Sequence, residues 1–323
     1  MILAADVGAT KILLECGDLR SDGWQARLAR RYPLAEFETF SAVMSAFLEE
    51  WETVKPARSR ITAAGIGAAG PALNNKLKMT NRPWTIDGAL VSRQFGIPKV
   101  RVVNDLAAGA SGVGLLGARD LLTVQAGKAI RGEPRVVIGV GTGLGVAYLI
   151  GEGNEVRIVP GEGGHAGFSP ASMPQFELAT ALFQAHGRVE AEDVVSGRGL
   201  SNIYDFLRRG AGKPAAAAEL ADPAWISEAA AAGDPTCSMA LEMMVACLGN
   251  IAGDHALAAM ARGGVYIVGG VAAKIAPLIK SPRFLAAFCA KGSFSGMMMK
   301  IPVKVVTTER VGVLGAARYA LAN

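Results

Sequence analysis

Gly139-Val140-Gly141-Thr142-Gly143-Leu144-Gly145 sets four glycines in seven residues between two apolar runs, Val136–Val140 and Gly145–Ile150. An ordinary turn does not need so many, because each glycine loses extra backbone entropy on folding. A ligand pressed against the backbone explains the density better. The same arrangement stands at the start of the chain, where Asp6-Val7-Gly8-Ala9-Thr10 separates the short apolar runs Ile2–Asp6 and Ile12–Cys16. A strand ending in Asp, then small residues and Thr, makes a hairpin turn whose outward N–H groups form a nest for phosphate. Asp6 there is a candidate Mg²⁺ ligand, since Mg²⁺ prefers oxygen donors and keeps much of its water. The plain alternative is a β-hairpin with an Asp-initiated turn.

Working outward from these turns, strand-like runs at Ile61–Ala64 and Val100–Val103 alternate with helical spacing at Thr39–Val54 and Asp87–Phe95. After about residue 110 the pattern restarts. Val136–Val140, Gly145–Ile150 and Glu155–Val159 read as three strands, the last two joined by the hairpin signal Gly151–Asn154. Helical patterns follow at Pro174–His186, Gly199–Arg209 and from Cys237 to about Arg262, then strands at Val265–Val268 and Val303–Thr307 and a closing helix at Gly312–Ala322. A strand meander with a Gly-rich turn, followed by α/β units, thus occurs twice. The pattern predicts an α/β protein of two related domains facing each other across a central cleft. The AGKPAAAA tract at 211–218 is the one low-complexity patch, expected as a surface loop or a helix entry.

Two further glycine patterns, Gly65–Gly70 and Gly112–Gly117, spell GxGxxG without its context. The first runs into Pro71 and a polar loop, and the second has no strand before it. A dinucleotide fold is excluded. Gly263-Gly264 before a buried strand and Gly269-Gly270 after it leave room for an adenosine ring.

The chain of 323 residues is 51% apolar and 19% charged, with 40 glycines and a net charge of +5, which suits a globular enzyme of two domains and an anionic substrate. Arg27, Arg30 and Arg31, and Arg208 with Arg209, are expected on solvated surface. No aromatic residues interleave with them, so no nucleic-acid partner is expected. The four cysteines, Cys16, Cys237, Cys247 and Cys289, lack CxxC spacing and point to a reducing compartment. Neither a leader nor an apolar stretch of spanning length is expected, so no membrane partner is either, and the expected location is the cytoplasm.

Three polar groups remain. Val102-Val103-Asn104-Asp105 ends a strand with an amide and a carboxylate, Pro160–His165 carries Glu162 and His165 on one loop, and Glu192 precedes a helix. Each has a bland reading: a helix cap at Asp105, a satisfied loop histidine, a solvated glutamate.

Together, Asp6–Thr10, MTNRPW at 79–84, VVNDLAAGA at 102–110, IGVGTGLGVAYL at 138–149, PGEGGHAGFSP at 160–170, the 191–204 stretch and GGVYIVGG at 263–270 resemble bacterial glucokinases, in order and over nearly the whole chain. The resemblance implies an actin-like ATPase fold of the ribonuclease H-like type, with a small α/β domain, residues 1–110, completed by a C-terminal helix at about 308–323, and a larger α+β domain, residues 111–307. It also implies phosphorylation of glucose by ATP with Mg²⁺, in a protein that is commonly a homodimer. It implies Asp105 as general base, with Asn104, Glu162, His165 and Glu192 binding sugar hydroxyls. Asp6, Gly8, Thr10, the Gly141-Thr142-Gly143 turn, and Gly269 and Gly270 would face ATP. The chain departs from the family's Asp-x-Gly-Gly-Thr-Asn turn at Ala9 and Lys11, and Leu13 stands where an arginine is expected. Ala9 would be strained at positive φ, and Lys11 is a candidate replacement cation. The alternatives are a kinase for another hexose or an amino sugar, and a weakened sugar-binding homologue. A sugar-responsive regulator would want a helix-turn-helix segment, which is not seen.

Overall fold

The computed structural model describes residues 1–20, 23–153, 156–210 and 220–322. The chain divides into two compact units, Met1–Ala118 with Thr308–Asn323, and Arg119–Thr307.

The first unit is built on a five-stranded sheet. Its elements are β1 (Ile2–Val7), β2 (Lys11–Arg20), β3 (Gly23–Pro33), α1 (Phe40–Val54), β4 (Ala63–Ala68), β5 (Ala72–Leu73), β6 (Lys76–Lys78), β7 (Thr85–Asp87), α2 (Gly88–Phe95), β8 (Lys99–Asn104) and α3 (Asp105–Gly112), closed by a C-terminal helix, Val311–Leu321. The strand order is β3-β2-β1-β4-β8, and β5-β6-β7 form a small separate sheet. Side chains alternate across a strand, so β1 divides its residues between two cores. Leu3, Ala5 and Val7 join Phe40, Val43, Met44, Phe47 and Trp51 of α1 in one cluster. Ala4 joins Val313, Ala316 and Ala317 of the C-terminal helix in another. That second face is made of small residues because helix backbone lies directly on it. A Cβ on Gly65 of β4 would stand 1.8 Å from the Ala316 carbonyl oxygen, and one on Gly112 would stand 2.0 Å from that of Val311. The two GxGxxG spellings therefore mark close packing of helix on strand and helix on helix. The first unit runs past residue 110 because α3 continues to Gly112 against the C-terminal helix, where a Cβ on Gly315 would fall 1.6 Å from the Ala108 carbonyl oxygen.

Strand β3 has no apolar alternation, and Leu28 is its one buried residue. It forms an edge through pairing with β2. The basic group there lies on exposed surface, as expected, and its members are also paired: Arg27 lies 3.8 Å from Asp18, Arg30 pairs with Glu50, and Arg31 lies 3.4 Å from Glu309.

The second unit contains β9 (Leu121–Gln125), β10 (Arg135–Val140), β11 (Leu144–Ile150), β12 (Arg157–Gly161), α4 (Met173–His186), α5 (Gly197–Gly210), α6 (Pro223–Ala231), α7 (Pro235–Ala258), β13 (Gly264–Val268), α8 (Gly270–Lys274), α9 (Ala276–Ile279), α10 (Pro282–Cys289), α11 (Ser295–Met298) and β14 (Val303–Val306). Its sheet runs β12-β11-β10-β13-β14-β9. The first five strands repeat the pairing of the other unit. β10 is antiparallel to β11 and parallel to β13, as β1 is antiparallel to β2 and parallel to β4. Asn154, Glu155 and the 211–218 tract lie outside the described residues. Helix α7 corrects the expectation that no apolar segment reaches spanning length. It has 24 residues and a mean hydropathy of 1.3 over its most apolar window, but 67% of that window is buried. Leu241, Met244, Val245, Leu248 and Ile251 enter the main core with Val136 and Ile138 of β10, which makes α7 a core helix.

Candidate active site

In the first unit the predicted residues gather at one end of the sheet. Asp6 is the penultimate residue of β1, and Gly8 opens the turn by donating its N–H to the Lys11 carbonyl at 3.0 Å. Ala9 and Thr10 are exposed at the tip. Ala9 is not among the residues with positive φ, so the alanine in place of the family's glycine is unstrained. Lys11, the candidate replacement cation, pairs its Nζ with Glu309 at 2.6 Å, and its charge also acts on Asp6. The carboxylate of Asp6 lies over the start of the C-terminal helix, where a Cβ on Gly312 would come within 2.3 Å of Oδ2. Burial, with the charge of Asp105 adding to it, pushes the pKa of Asp6 up to about 7.

Asn104 and Asp105 stand where β8 turns into α3. Asn104 is the helix cap, its Oδ1 accepting from the N–H groups of Leu106 (2.9 Å) and Ala107 (3.2 Å) while Nδ2 donates to the Gly70 carbonyl at 3.1 Å. The capping duty considered for Asp105 thus falls to its neighbour. Asp105 Oδ1 accepts from the Leu106 N–H at 2.8 Å. Burial holds its pKa above the ordinary carboxylate value, opposed by backbone hydrogen bonds and by Asn104. Two partly desolvated carboxylates, Asp6 and Asp105, therefore feel one another at one end of this sheet.

The second unit assembles the rest. The turn after β10 is closed by Gly141 N–H donating to the Gly143 carbonyl at 2.9 Å, and Gly197 N–H donates to the Gly141 carbonyl at 3.0 Å. The N–H of Leu144 donates to Glu192 Oε2 at 2.8 Å. Among the described residues the N–H groups of Thr142 and Gly143 make no hydrogen bond, and these two remain for a ligand. The glycines have separate reasons. None of the turn's glycines has positive φ, but a Cβ on Gly143 would lie 2.5 Å from Glu192 Oε2. Gly269 has φ +108° and no room beside the Val140 carbonyl oxygen, 2.3 Å from its would-be Cβ, so strand β10 accounts for it, whereas Gly270 faces open space.

The 160–168 loop lies flush on β11 because Gly164 has no side chain; its Cβ would fall 1.8 Å from the Leu144 carbonyl oxygen. A bridge between Gly167 and Glu190, with Ala191 N–H donating to the Ala166 carbonyl (2.9 Å), ties this loop to the segment carrying Glu192. Glu162, His165, Glu192 and the 141–145 turn are thereby brought together. Glu162 and His165 are exposed and Glu192 is half-buried. Sequence reasoning missed two members of this group, Arg188 and Glu190. His165 Nδ1 lies 2.7 Å from Glu190 Oε2, and Arg188 donates to Glu190 Oε1 at 3.0 Å. The available signal was Glu190 three residues before Asp193, a reciprocal capping box at the start of the short 3₁₀ turn Ala191–Asp193.

Among the described residues no group of three or more His, Cys, Asp or Glu side chains is placed to hold a metal. A dedicated protein cage is not built, but a single carboxylate sharing an ion with nucleotide phosphates is how Mg²⁺ is usually held. Asp6, desolvated beside another carboxylate, fits that role.

The glucokinase family model matches residues 3–323. A glucokinase from Nostoc sp. is 36% identical, over 99% of this chain and 98% of its own length, and one from Mesorhizobium japonicum is 36% identical over 99% and 91%. The solved glucokinase of an Antarctic psychrotroph aligns with a TM-score of 0.85 at 28% identity, covering 99% of this chain and 98% of its own. The fold is shared more widely. A ROK family glucokinase from Streptomyces griseus, solved with glucose and AMPPNP, aligns with a TM-score of 0.64 at 21% identity, over 99% of this chain and 98% of its own. The fold is that of the actin-like ATPase sugar kinases, and the chain belongs to the glucokinase family.

Proposed function

We propose that this enzyme transfers the γ-phosphoryl group of ATP to the 6-hydroxyl of glucose, yielding glucose 6-phosphate and ADP, the first step of glycolysis. The observation that carries the assignment of roles is Asp105, a desolvated carboxylate fixed at the mouth of α3 by the Leu106 N–H. In this reading Asp105 is the general base. A sugar hydroxyl is a poor acid, so its proton leaves only as the new P–O bond forms, and a carboxylate with a raised pKa is suited to take it. Asn104 sets the position of Asp105 through the cap of α3 and offers its remaining amide hydrogen to the sugar. Glu162, His165 and Glu192 bind other hydroxyls, and several matched polar contacts of this kind give steep discrimination among sugars. The N–H groups of Thr142 and Gly143, with the Gly8–Thr10 turn, hold phosphate oxygens, and Gly270, which faces open space, leaves room for the adenosine. Phosphoryl transfer asks mainly for such alignment and for charge neutralisation. Asp6 is the residue that would hold Mg²⁺; bound there with ATP, the ion neutralises charge on the phosphates. The unstrained Ala9 supports a working phosphate turn over the weakened-homologue reading.

Replacing Asp105 by Asn tests this directly. Glucose binding measured by calorimetry should persist, while ATP-dependent turnover drops by about 10²–10⁴, the usual share of a general base. A variant that keeps most of its kcat would refute the role.

The enzyme is further inferred to be a cytoplasmic homodimer. None of the four cysteines forms a disulfide among the described residues, which suits a reducing compartment. Met173, Phe176 and Phe183, exposed along α4, offer apolar surface for a second copy. Sedimentation of the full chain as a monomer at working concentration would contradict the dimer.

A further inference from the structure

We propose that Glu190, braced by Arg188, is a positioning residue that locks the His165 ring so that Nε2 is the atom presented to the sugar. The proposal rests on the reading of His165 as a sugar ligand and adds to it what holds the ligand in place. The side chain of His165 is 55% exposed, so packing alone does not fix its rotamer. A contact to Glu190 does: Nδ1 lies 2.7 Å from Oε2. A carboxylate has only acceptors to offer. The proton of this pair therefore sits on Nδ1, and Nε2 is left for a hydroxyl in either charge state of the ring, accepting when neutral and donating when protonated.

Glu190 is itself held on three sides. Its Oε1 accepts from Arg188 Nε at 3.0 Å, and its own N–H donates to Asp193 Oδ2 at 2.9 Å. Its backbone forms the bridge to Gly167. Arg188 closes the ring of contacts by donating from Nη2 to the carbonyl of His165 at 2.9 Å, so a single guanidinium grips both the carboxylate and the histidine backbone. Asp193 is in turn gripped by Arg198 at 2.5 Å. The charged groups acting on the imidazole are Glu190, Glu192 and Glu162, with Arg188 beside Glu190. The hydrogen bond from Glu190 is the chief cause that raises the histidine's pKa; desolvation opposes it, and the charges of Glu192, Glu190 and Glu162 add to it. A ring ordered before the sugar arrives costs no ordering at the moment of binding, which places the effect in affinity for glucose rather than in the chemical step.

The test uses the full-length enzyme and the variants Glu190→Ala, Glu190→Gln and His165→Ala, with two readouts. The first is steady-state kinetics in glucose. The second is ring ¹⁵N NMR, tractable because the chain has three histidines and His165→Ala identifies the signal. Wild type should show the Nδ1-protonated ring. Glu190→Ala should shift the ring toward the Nε2–H tautomer, lower its pKa toward the ordinary value, and raise the glucose KM about 3- to 10-fold, the size of one modest hydrogen bond, with kcat little changed. Glu190→Gln keeps an acceptor, so it should restore most of the KM while the pKa still falls. If His165→Ala weakens glucose binding but Glu190→Ala changes neither tautomer nor KM, Glu190 is idle and the proposal is overturned. If His165→Ala leaves the glucose KM unchanged, the sugar-ligand reading itself fails and the proposal with it, an outcome separated from the first by that variant alone.

Discussion

Gly143 is the position where one added carbon should divide folding from function. A Cβ there would lie 2.5 Å from Glu192 Oε2 and 3.2 Å from Cδ. The obstacle is the far end of a flexible side chain, and Gly143 does not have positive φ, so Gly143→Ala should still fold, with its melting temperature lowered by several degrees rather than folding being lost. The carboxylate must swing away, however, and the Leu144 N–H then loses its 2.8 Å acceptor. A hydrogen bond to a charged group is worth about 1.5–3 kcal/mol, or about 10- to 150-fold in binding. Because Glu192, the proposed sugar contact, is also the clasp of the turn, the loss should appear in the KM for glucose and also in that for ATP. A coupled assay of ADP release, with each substrate varied at saturating levels of the other, reads both. Adding Glu192→Ala to Gly143→Ala should cost little beyond Glu192→Ala alone, since both act through one contact. Wild-type KM values for both substrates in Gly143→Ala, or a double variant whose defects simply add, would refute the reasoning.

Gly315→Ala should behave in the opposite way: its Cβ would meet the Ala108 carbonyl oxygen at 1.6 Å, backbone that cannot swing aside, and denaturant melts should show a loss of about 3 kcal/mol or more. Ala9→Gly relieves no strain, because φ at Ala9 is not positive; it should leave the KM for ATP unchanged and lower stability by up to about 1 kcal/mol through the unfolded chain. Asp105 has a raised pKa and must be ionised to accept a proton, so kcat/KM should fall with acid from a pH above the ordinary carboxylate value of about 4. A rate that stays level down to that value would exclude Asp105 as the titrating base.

Much of this was legible because the chemistry and the fold use the same residues. The Asp6–Thr10 and Gly139–Gly145 turns are short, and their flanking strands are apolar, so the two β-meanders showed as hydrophobic runs broken by glycine. Asn104 and Asp105 stood out because polar residues ended such a run. Strand β3 was not visible, since its 11 residues bury only Leu28 and its arginines are satisfied by partners on other segments, Glu50 and Glu309, that no local window contains. Helices α9 to α11 were missed, two of the three being only four residues long, too short for a helical period to emerge. The partner of Lys11 was hidden for the same reason as β3: Glu309 is 298 positions away. Arg188 and Glu190 are spread over a loop, and pairing of residues 166–168 with 189–191 brings them to His165.

The C-terminal helix has a consequence for how the protein is made. Val311–Leu321 fills the small-residue face of β1 and β4, so the first unit is discontinuous in the chain while Arg119–Thr307 is contiguous. Synthesis proceeds from the N-terminus, and domains generally fold as units. The amino-terminal sheet must therefore wait, with Ala4 and Gly65 uncovered, until the final turns have left the ribosome, and the part translated second is the part able to finish first.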